Sequence, residues 1–368
     1  MSFSAKAAVL HKACEKMEIQ PIEIEAPRAD EVLVEIEACG ICHTDLVMLG
    51  GYWPAPLPAV FGHEGAGRVV SVGPDVTGLQ PGDPVILSYA SCGSCPSCDS
   101  AKPAYCHEFI PRNFGVARPD GSSAFSSEDG HRVSSHFFGQ SSFATHTVAP
   151  QRNIVKVPDD IPLEILAPLG CGIQTGAGSI LNSFNVQAGS TVLIIGAGAV
   201  GISAAMAAKI AGAQSIIAMD LLESRLTLAQ ELGATHTLLS DGRPVPELLA
   251  SIGITGVDYI LDTAGVPSII NEAVTTLNIR GVLGLSAGYP PEEVMKVDFT
   301  FMMFGGRRIQ GIIEGDASPQ DFIPTLISYY RQGLFPFDRL IEHFAFADIN
   351  EAVAACQSGR VIKPVLRM

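Results

Sequence analysis

Two patterns of apolar and polar positions divide the chain. From Lys6 to about Val157 apolar residues alternate with polar ones at period two. Val32-Leu-Val-Glu-Ile-Glu-Ala is the clearest run, and Gly65-Ala-Gly-Arg-Val-Val-Ser-Val-Gly follows it in part. Period two puts successive side chains on opposite faces of a strand, so this half reads as half-buried β-strands. Gly and Pro cut the runs short, as in Val72-Gly-Pro-Asp and Gln80-Pro-Gly-Asp-Pro. The expectation is a small all-β barrel with long loops.

From about Leu169 strand-like runs alternate with helix-like ones. Thr191–Ile195 is followed by a helix over Val200–Ala211, Ser215–Met219 by a helix over Glu223–Leu232. Val257–Asp262 and Gly281–Leu285 read as strands around a helical stretch at Ser268–Leu277. That alternation predicts βαβ units and a parallel sheet, hence an α/β class for this half. After about Gly315 a terminal stretch, with a helix near Phe322–Gln332, is expected to return and complete the first domain. No internal repeat and no low-complexity segment interrupts the pattern.

Composition narrows the class. The chain has 368 residues, 47% hydrophobic and 17% charged, with a formal net charge of -15. It is long enough for two cores and too apolar for a disordered chain. The negative charge, with no Lys/Arg block, argues against nucleic acid as a partner. Thr191 to Ala208 carries no charge and is about long enough to span a bilayer. Its early glycines and the Ala/Ser/Met that follow read better as strand, turn and helix. Met1-Ser-Phe-Ser-Ala-Lys lacks the apolar core of a signal peptide, so a cytoplasmic location is expected.

The nucleotide signature is Gly196-Ala-Gly198-Ala-Val-Gly201, directly after the apolar run Val192-Leu-Ile-Ile. Gly196 permits a tight turn, Gly198 lets backbone approach a pyrophosphate, and Gly201 lets the next helix pack on the strand. Asp220, nineteen residues beyond Gly201, ends the second strand. A carboxylate there accepts the ribose hydroxyls and repels a 2′-phosphate, which favours NAD over NADP. Arg225 pulls the other way, because a guanidinium nearby tolerates a phosphate.

Nine cysteines in a chain expected in the cytosol point to metal or catalysis before disulfides. Cys92, Cys95, Cys98 and Cys106 are spaced C-x2-C-x2-C-x7-C in a Gly/Ser/Pro loop. Four thiolates close the shell of one tetrahedral ion, so this zinc is structural. An iron–sulfur cluster or a disulfide pair are the alternatives. Cys42 in Cys-His-Thr-Asp, His63 in Gly-His-Glu and Cys171 in Gly-Cys-Gly together suit a catalytic zinc with an open fourth position. Cys14, Cys39 and Cys356 read as small buried hydrophobes.

These residues together resemble the zinc-containing alcohol dehydrogenases of the medium-chain dehydrogenase/reductase family, nearly end to end. The signatures are Gly62-His63-Glu64-Gly65-Ala66-Gly67, Cys39-Gly40-Ile41-Cys42-His43-Thr44-Asp45, the four-cysteine lobe and Gly170-Cys171-Gly172-Ile173-Gln174-Thr175-Gly176. The last looks most like the aryl-alcohol (benzyl alcohol) and allylic-terpenol branch. The resemblance implies a GroES-like β-barrel catalytic domain over 1–170 with the zinc lobe at 91–107. It also implies a Rossmann doubly wound parallel-sheet domain over 171–314 and a C-terminal return over 315–368. A homodimer or homotetramer is implied as well.

By the same resemblance Cys42, His63 and Cys171 hold the catalytic zinc. Glu64 sits behind the metal and replaces water there transiently. Asp45 accepts the second N–H of His63, Thr44 adjoins the reacting hydroxyl, and Val200 and Thr175 flank the nicotinamide. Lys363 reaches the pyrophosphate. The implied reaction passes the alcohol's proton through Thr44 and a hydride to NAD, leaving an aldehyde. Relatives carry a histidine five residues after the first zinc cysteine, and here that position is Val47. Either His43 or a water chain ends the relay, or His43 only contacts phosphate. Trp53 and Tyr89 match pocket positions, and two aromatic walls favour a flat apolar alcohol over ethanol.

Three other readings compete. A polyol dehydrogenase often replaces the third ligand by a carboxylate, which Cys171 opposes. A glutathione-linked formaldehyde dehydrogenase needs cations at the pocket mouth, for which Arg112 and Arg118 are the candidates. A non-catalytic cofactor-binding scaffold would have lost a zinc ligand or Thr44.

Overall fold

The computed structural model describes residues 2–289 and 292–368. The chain forms two compact units, one of residues 1–172, 318–326 and 338–368, the other of 173–317 and 327–337.

The first unit is built on two sheets. Strands Ala59–Val60, Ser2–Leu10, Glu18–Glu25, Phe125–Ser126 and Arg132–Val133 lie side by side in that order in one. The other runs Ile154–Lys156, Pro84–Leu87, Glu64–Val72, Glu31–Gly40, Lys363–Arg367 and Ile341–Ala345, with His146–Pro150 also paired to Glu31–Gly40. The alternating run at Val32 buries Val32, Leu33, Val34 and Ile36 while Glu35 and Glu37 face solvent. Two pairings of strand Glu31–Gly40 position the site. Gly40 pairs with Glu64 on one side and with Val365 on the other. The C-terminal strand thereby lies beside the segment that carries the metal-site motifs.

The second unit is a parallel sheet of strands His236–Leu239, Ser215–Asp220, Thr191–Ile195, Val257–Asp262, Leu277–Leu285 and Arg308–Gly311, in that order. Numbered along the chain this is 3-2-1-4-5-6, the doubly wound order with its switch point beside Thr191–Ile195. The uncharged run from Thr191 divides into a strand to Ile195, a glycine turn and the helix Ala199–Ile210. Among the described residues no helix is long and apolar enough to cross a membrane.

Pattern and structure differ in three places. His236–Leu239 and Arg308–Gly311 are strands that polar residues hide from a periodicity reading. The helical reading of Ser268–Leu277 shortens to Pro267–Ala273 plus one tight turn, and the following strand starts four residues earlier than Gly281, at Leu277. Strand pairing there tolerates an irregularity between Val257 and Tyr259, with Arg280 at φ 64. The terminal helix Pro319–Arg331 contributes to both units instead of returning to the first alone.

Candidate active site

Three segments of the first unit converge. Cys42 precedes helix His43–Leu49. Asp45 in the first turn folds back so that Oδ2 accepts the Cys42 backbone N–H at 2.9 Å, the carboxylate half of a capping box. Its other oxygen accepts the Gly62 N–H at 3.1 Å and lies 2.9 Å from His63 Nδ1. The Nδ1 proton is thus committed to Asp45, and Nε2 presents its lone pair. That Nε2 is buried and has no hydrogen-bond partner. Cys171 follows the tight turn Ala167–Gly170.

One donor atom from each of Cys42, His63, Glu64 and Cys171 lies within 4.8 Å of the others. Two sulfurs, an orphaned imidazole nitrogen and a carboxylate, all buried but the half-buried Cys42, fit a zinc ion. Cys171 draws the Cys42 thiol well below its usual range, and His63 and Lys363 act in the same direction against burial. Thr44 Oγ1 stands 3.8 Å from Cys42 Sγ. His43 is exposed at the start of the helix, and Val47 is half-buried.

Lys363, expected at a pyrophosphate, is held against Glu64 in this structure. Its side chain is only 2% exposed, and Nζ lies 2.8 Å from both oxygens of Glu64 while also donating to the Ile41 carbonyl at 3.2 Å. The pairing of the C-terminal strand with Gly40 draws it inward. Burial opposes its charge, but Glu64 and Cys42 outweigh that and hold the ammonium protonated.

A row of rings leads to the cluster. Trp53, 38% exposed, packs on Phe114 at 5.2 Å between centroids. Phe114 meets Phe138 at 5.3 Å, and Phe138 stacks on His63 at 4.4 Å. Tyr89 is buried and joins the row through Phe109. Tyr89 also lines, with Cys92 and Cys98, a separate cavity of about 700 Å³. Sequence reasoning missed Phe114, Phe137 and Phe138. The last two sit within Ser134-Ser-His-Phe-Phe-Gly-Gln-Ser-Ser142, whose serines mimic an exposed loop. The whole segment is buried.

The four lobe sulfurs of Cys92, Cys95, Cys98 and Cys106 also lie within 4.8 Å of one another. Backbone N–H groups aim at them: Cys92 and Glu108 donate to Cys106, Ser94 to Cys92 and His107 to Cys95. Ser94 is the main cause that brings the Cys92 thiol down to about 6. Of the remaining cysteines Cys39 is buried and Cys356 half-buried, whereas Cys14 is exposed, contrary to its reading as a core residue.

In the second unit Gly196 turns the chain at φ +94, and a Cβ on Gly201 would sit 1.8 Å from the Gly196 carbonyl. A Cβ on Gly198 would meet nothing within 4 Å, so open space faces that residue. Asp220 accepts the Ala197 N–H at 2.7 Å, and Arg225 stands 3.9 Å from the same carboxylate. Val200 lies half-buried in the helix that follows the glycines. Thr175 is buried, with Oγ1 3.5 Å from the Glu314 carboxylate.

The two candidate cations are engaged elsewhere. Arg118 is buried in a two-point pair with Glu31 and a third bond to Glu25. Arg112 pairs with Glu108.

A unit of two β-sheets carrying this cysteine–histidine cluster, in one chain with a doubly wound sheet and its glycine turn, defines a zinc-type dehydrogenase. The alcohol dehydrogenase GroES-like domain matches residues 28–159 and the zinc-binding dehydrogenase domain residues 199–329. The chain belongs to the zinc-containing alcohol dehydrogenases of the medium-chain dehydrogenase/reductase family. It is 44% identical to a geraniol dehydrogenase of Castellaniella defragrans over 366 residues, 99% of this chain and 97% of that protein. The crystal structure of a benzyl alcohol dehydrogenase from Acinetobacter calcoaceticus superposes with a TM-score of 0.95 at 44% identity, covering 100% of this chain and 99% of the other. An alcohol dehydrogenase zinc-binding domain protein from Burkholderia ambifaria gives a TM-score of 0.97 at 47% identity, covering both chains in full.

Proposed function

We propose that the chain oxidises bulky aromatic or allylic primary alcohols to aldehydes with NAD, using a catalytic zinc at Cys42, His63 and Cys171 and a structural zinc at the four-cysteine lobe. The observation that carries the reading is the convergence of half-buried Cys42 with buried His63, Glu64 and Cys171, with His63 Nε2 lacking any other partner. The row Trp53–Phe114–Phe138 supports the substrate class, because flat rings pack on flat rings.

When bound, zinc supplies Lewis-acid polarisation of the alcohol oxygen, and the nicotinamide accepts hydride. The chain's residues do the rest. Asp45 fixes the imidazole tautomer, Thr44 receives the alcohol's proton, and the exposed His43 beside it offers that proton a way to solvent. The aromatic row excludes water and holds the substrate ring. Asp220, anchored to the glycine turn, accepts the ribose hydroxyls in this reading and favours NAD over NADP. Engagement of Arg118 and Arg112 by carboxylates counts against a glutathione adduct as substrate.

The protein is proposed to be cytoplasmic and to work as a homodimer or homotetramer. Phe299 and Phe304 are 86% and 80% exposed, close in sequence to the sheet's edge strand Arg308–Gly311, which suits burial against a second copy. The test is an alcohol panel with NAD and NADP on protein whose zinc has been counted. About two zinc per chain are expected, with kcat/KM for benzyl, cinnamyl or geranyl alcohol well above that for ethanol. One zinc or none, or the reverse substrate order, overturns the reading.

A further inference from the structure

The metal-ligand candidates come from distant stretches of sequence, so something must set the distances between their backbones. Asp45 ties the Cys42 segment to the His63 segment, as described above. The residues next to His63 and Cys171 are joined directly, Gly172 N–H donating to Glu64 Oε1 at 3.1 Å. One buried side chain, Gln140, provides a second link between the two segments. Its Nε2 donates to the His63 carbonyl at 2.9 Å and to the Ser88 carbonyl at 3.3 Å. Its Oε1 accepts the Gly65 N–H at 3.1 Å and the Ser142 hydroxyl at 2.7 Å. Two donors and two acceptors are all the amide has, and all four are used. The partners fix which atom is which, since a backbone N–H only donates and a carbonyl only accepts.

The chain of contacts continues to the third ligand. Ser88 Oγ donates to the Gly170 carbonyl at 2.6 Å, one residue before Cys171. Two glycines make room for the arrangement. A Cβ on Gly65 would sit 3.0 Å from Gln140 Oε1 and 2.2 Å from Ser142 Oγ, and one on Gly170 would sit 2.3 Å from the Leu87 carbonyl. The loop that carries Gln140 also supplies Phe138, the ring stacked on His63. Gln140 therefore brackets the His63–Glu64 pair from both sides and, through Ser88, reaches the backbone of the Cys171 segment.

We infer that Gln140, acting through Ser88, is a positioning residue of the catalytic metal site, holding the His63 and Cys171 segments at the separation one zinc ion requires. The inference rests on the assignment of that site to Cys42, His63 and Cys171. Groups that orient metal ligands through hydrogen bonds commonly change metal affinity 10–100-fold when removed.

The test measures zinc release from the full-length protein into a chromogenic chelator, together with the visible spectrum after cobalt(II) exchange. Gln140→Met keeps the length and apolar volume but not the hydrogen bonds. Its catalytic-site release is expected to be about tenfold faster or more, with the sulfur-to-cobalt bands displaced and release from the four-cysteine lobe unchanged. Ser88→Ala, which removes the hydroxyl link to Gly170 and keeps the backbone carbonyl that Gln140 binds, is expected to show a smaller acceleration of the same phase. Ile24→Ala, a core change in the other sheet of the unit, is expected to lower Tm without altering that phase. Release within twofold of wild type in both Gln140→Met and Ser88→Ala overturns the inference. So does equal acceleration in Ile24→Ala. If Gln140→Met does not accumulate as folded protein, Ser88→Ala decides alone. A wild-type chain that binds no second zinc overturns the site assignment itself, a result distinct from normal binding that the variants leave unaltered.

Discussion

Lys363 and Glu64 form a buried ion pair in which one ammonium lies 2.8 Å from both carboxylate oxygens, between residues 299 positions apart in sequence. The carboxylate belongs to the cluster of metal-ligand candidates, and Gly172 donates its backbone N–H to it at 3.1 Å. Gly40 leaves it room, since a Cβ there would fall 2.0 Å from Glu64 Oε2. The C-terminal strand is thus part of the floor of the candidate metal site.

Breaking this pair on one side strands a buried charge. Lys363→Met is expected to destabilise the folded chain by about 3–5 kcal/mol, the usual cost of removing one partner of a buried ion pair. The double variant Lys363→Met, Glu64→Gln is expected to recover most of that, because no unpaired charge remains. Urea unfolding of the four members of the cycle checks this. A single-variant loss below about 1 kcal/mol would show that the pair is solvated in solution.

The aromatic row makes a prediction about selectivity. Phe138→Ala and Trp53→Ala each remove a ring whose packing contributes about 0.5–1.5 kcal/mol beyond area burial. That is about a 2–10-fold drop in kcat/KM for benzyl or cinnamyl alcohol. The value for ethanol, too small to reach the outer rings, is expected to change less than twofold for Trp53→Ala. Phe138 also stacks on His63, so its variant is expected to lower turnover of all alcohols as well. Initial rates across the alcohol series separate the two effects.

Asp220 serves two functions that can be told apart. Its carboxylate accepts the backbone N–H groups of Ala197 and Leu222, which shapes the glycine turn, and discrimination at the ribose is the second role proposed for it. Asp220→Asn keeps an acceptor but removes the charge. The KM for NAD is expected to rise about 10-fold while the KM for NADP falls, since the repulsion of a 2′-phosphate is gone. Arg225, 3.9 Å away, becomes free to meet the phosphate. Equal weakening toward both cofactors would assign Asp220 to the turn alone.

How much of this was legible beforehand depended on how local each feature is. The cofactor half was readable because strand, glycine turn and helix follow one another within twenty residues, and its parallel sheet appeared as expected. The residues of the metal cluster stood out because few structural roles demand Cys and His in those contexts. Long-range pairings were not readable. The resemblance implies a phosphate contact for Lys363, and sequence gives no sign that its strand pairs beside Gly40 and brings it to Glu64. Gln140 and Phe138 were passed over because a serine-rich stretch looks solvated until its hydroxyls are seen bonded to the strands around it, as Ser141 is to Val60. Arg118, a candidate cation only for the competing glutathione reading, is enclosed by Glu31 and Glu25.

That enclosure yields a pH-dependent prediction. Burial raises the proton affinity of Glu31, but His136 and Arg118 reverse this and bring its pKa down to about 2 from 4.5. A carboxylate lowered on folding contributes stability that is complete above its unfolded value and is lost as pH falls toward the folded one. The contribution is about 3 kcal/mol at neutral pH, present above pH 4.5 and declining below it. Glu31→Gln is expected to be less stable than wild type at pH 7. The gap is expected to narrow by about 1 kcal/mol for each pH unit below 4.5 as the native carboxylate loses its advantage over the unfolded one. Urea midpoints of both proteins at pH 7, 4.5 and 3.5 measure this. A gap that stays constant over that range would mean that Glu31 is held by its neutral hydrogen bonds and not by its charge.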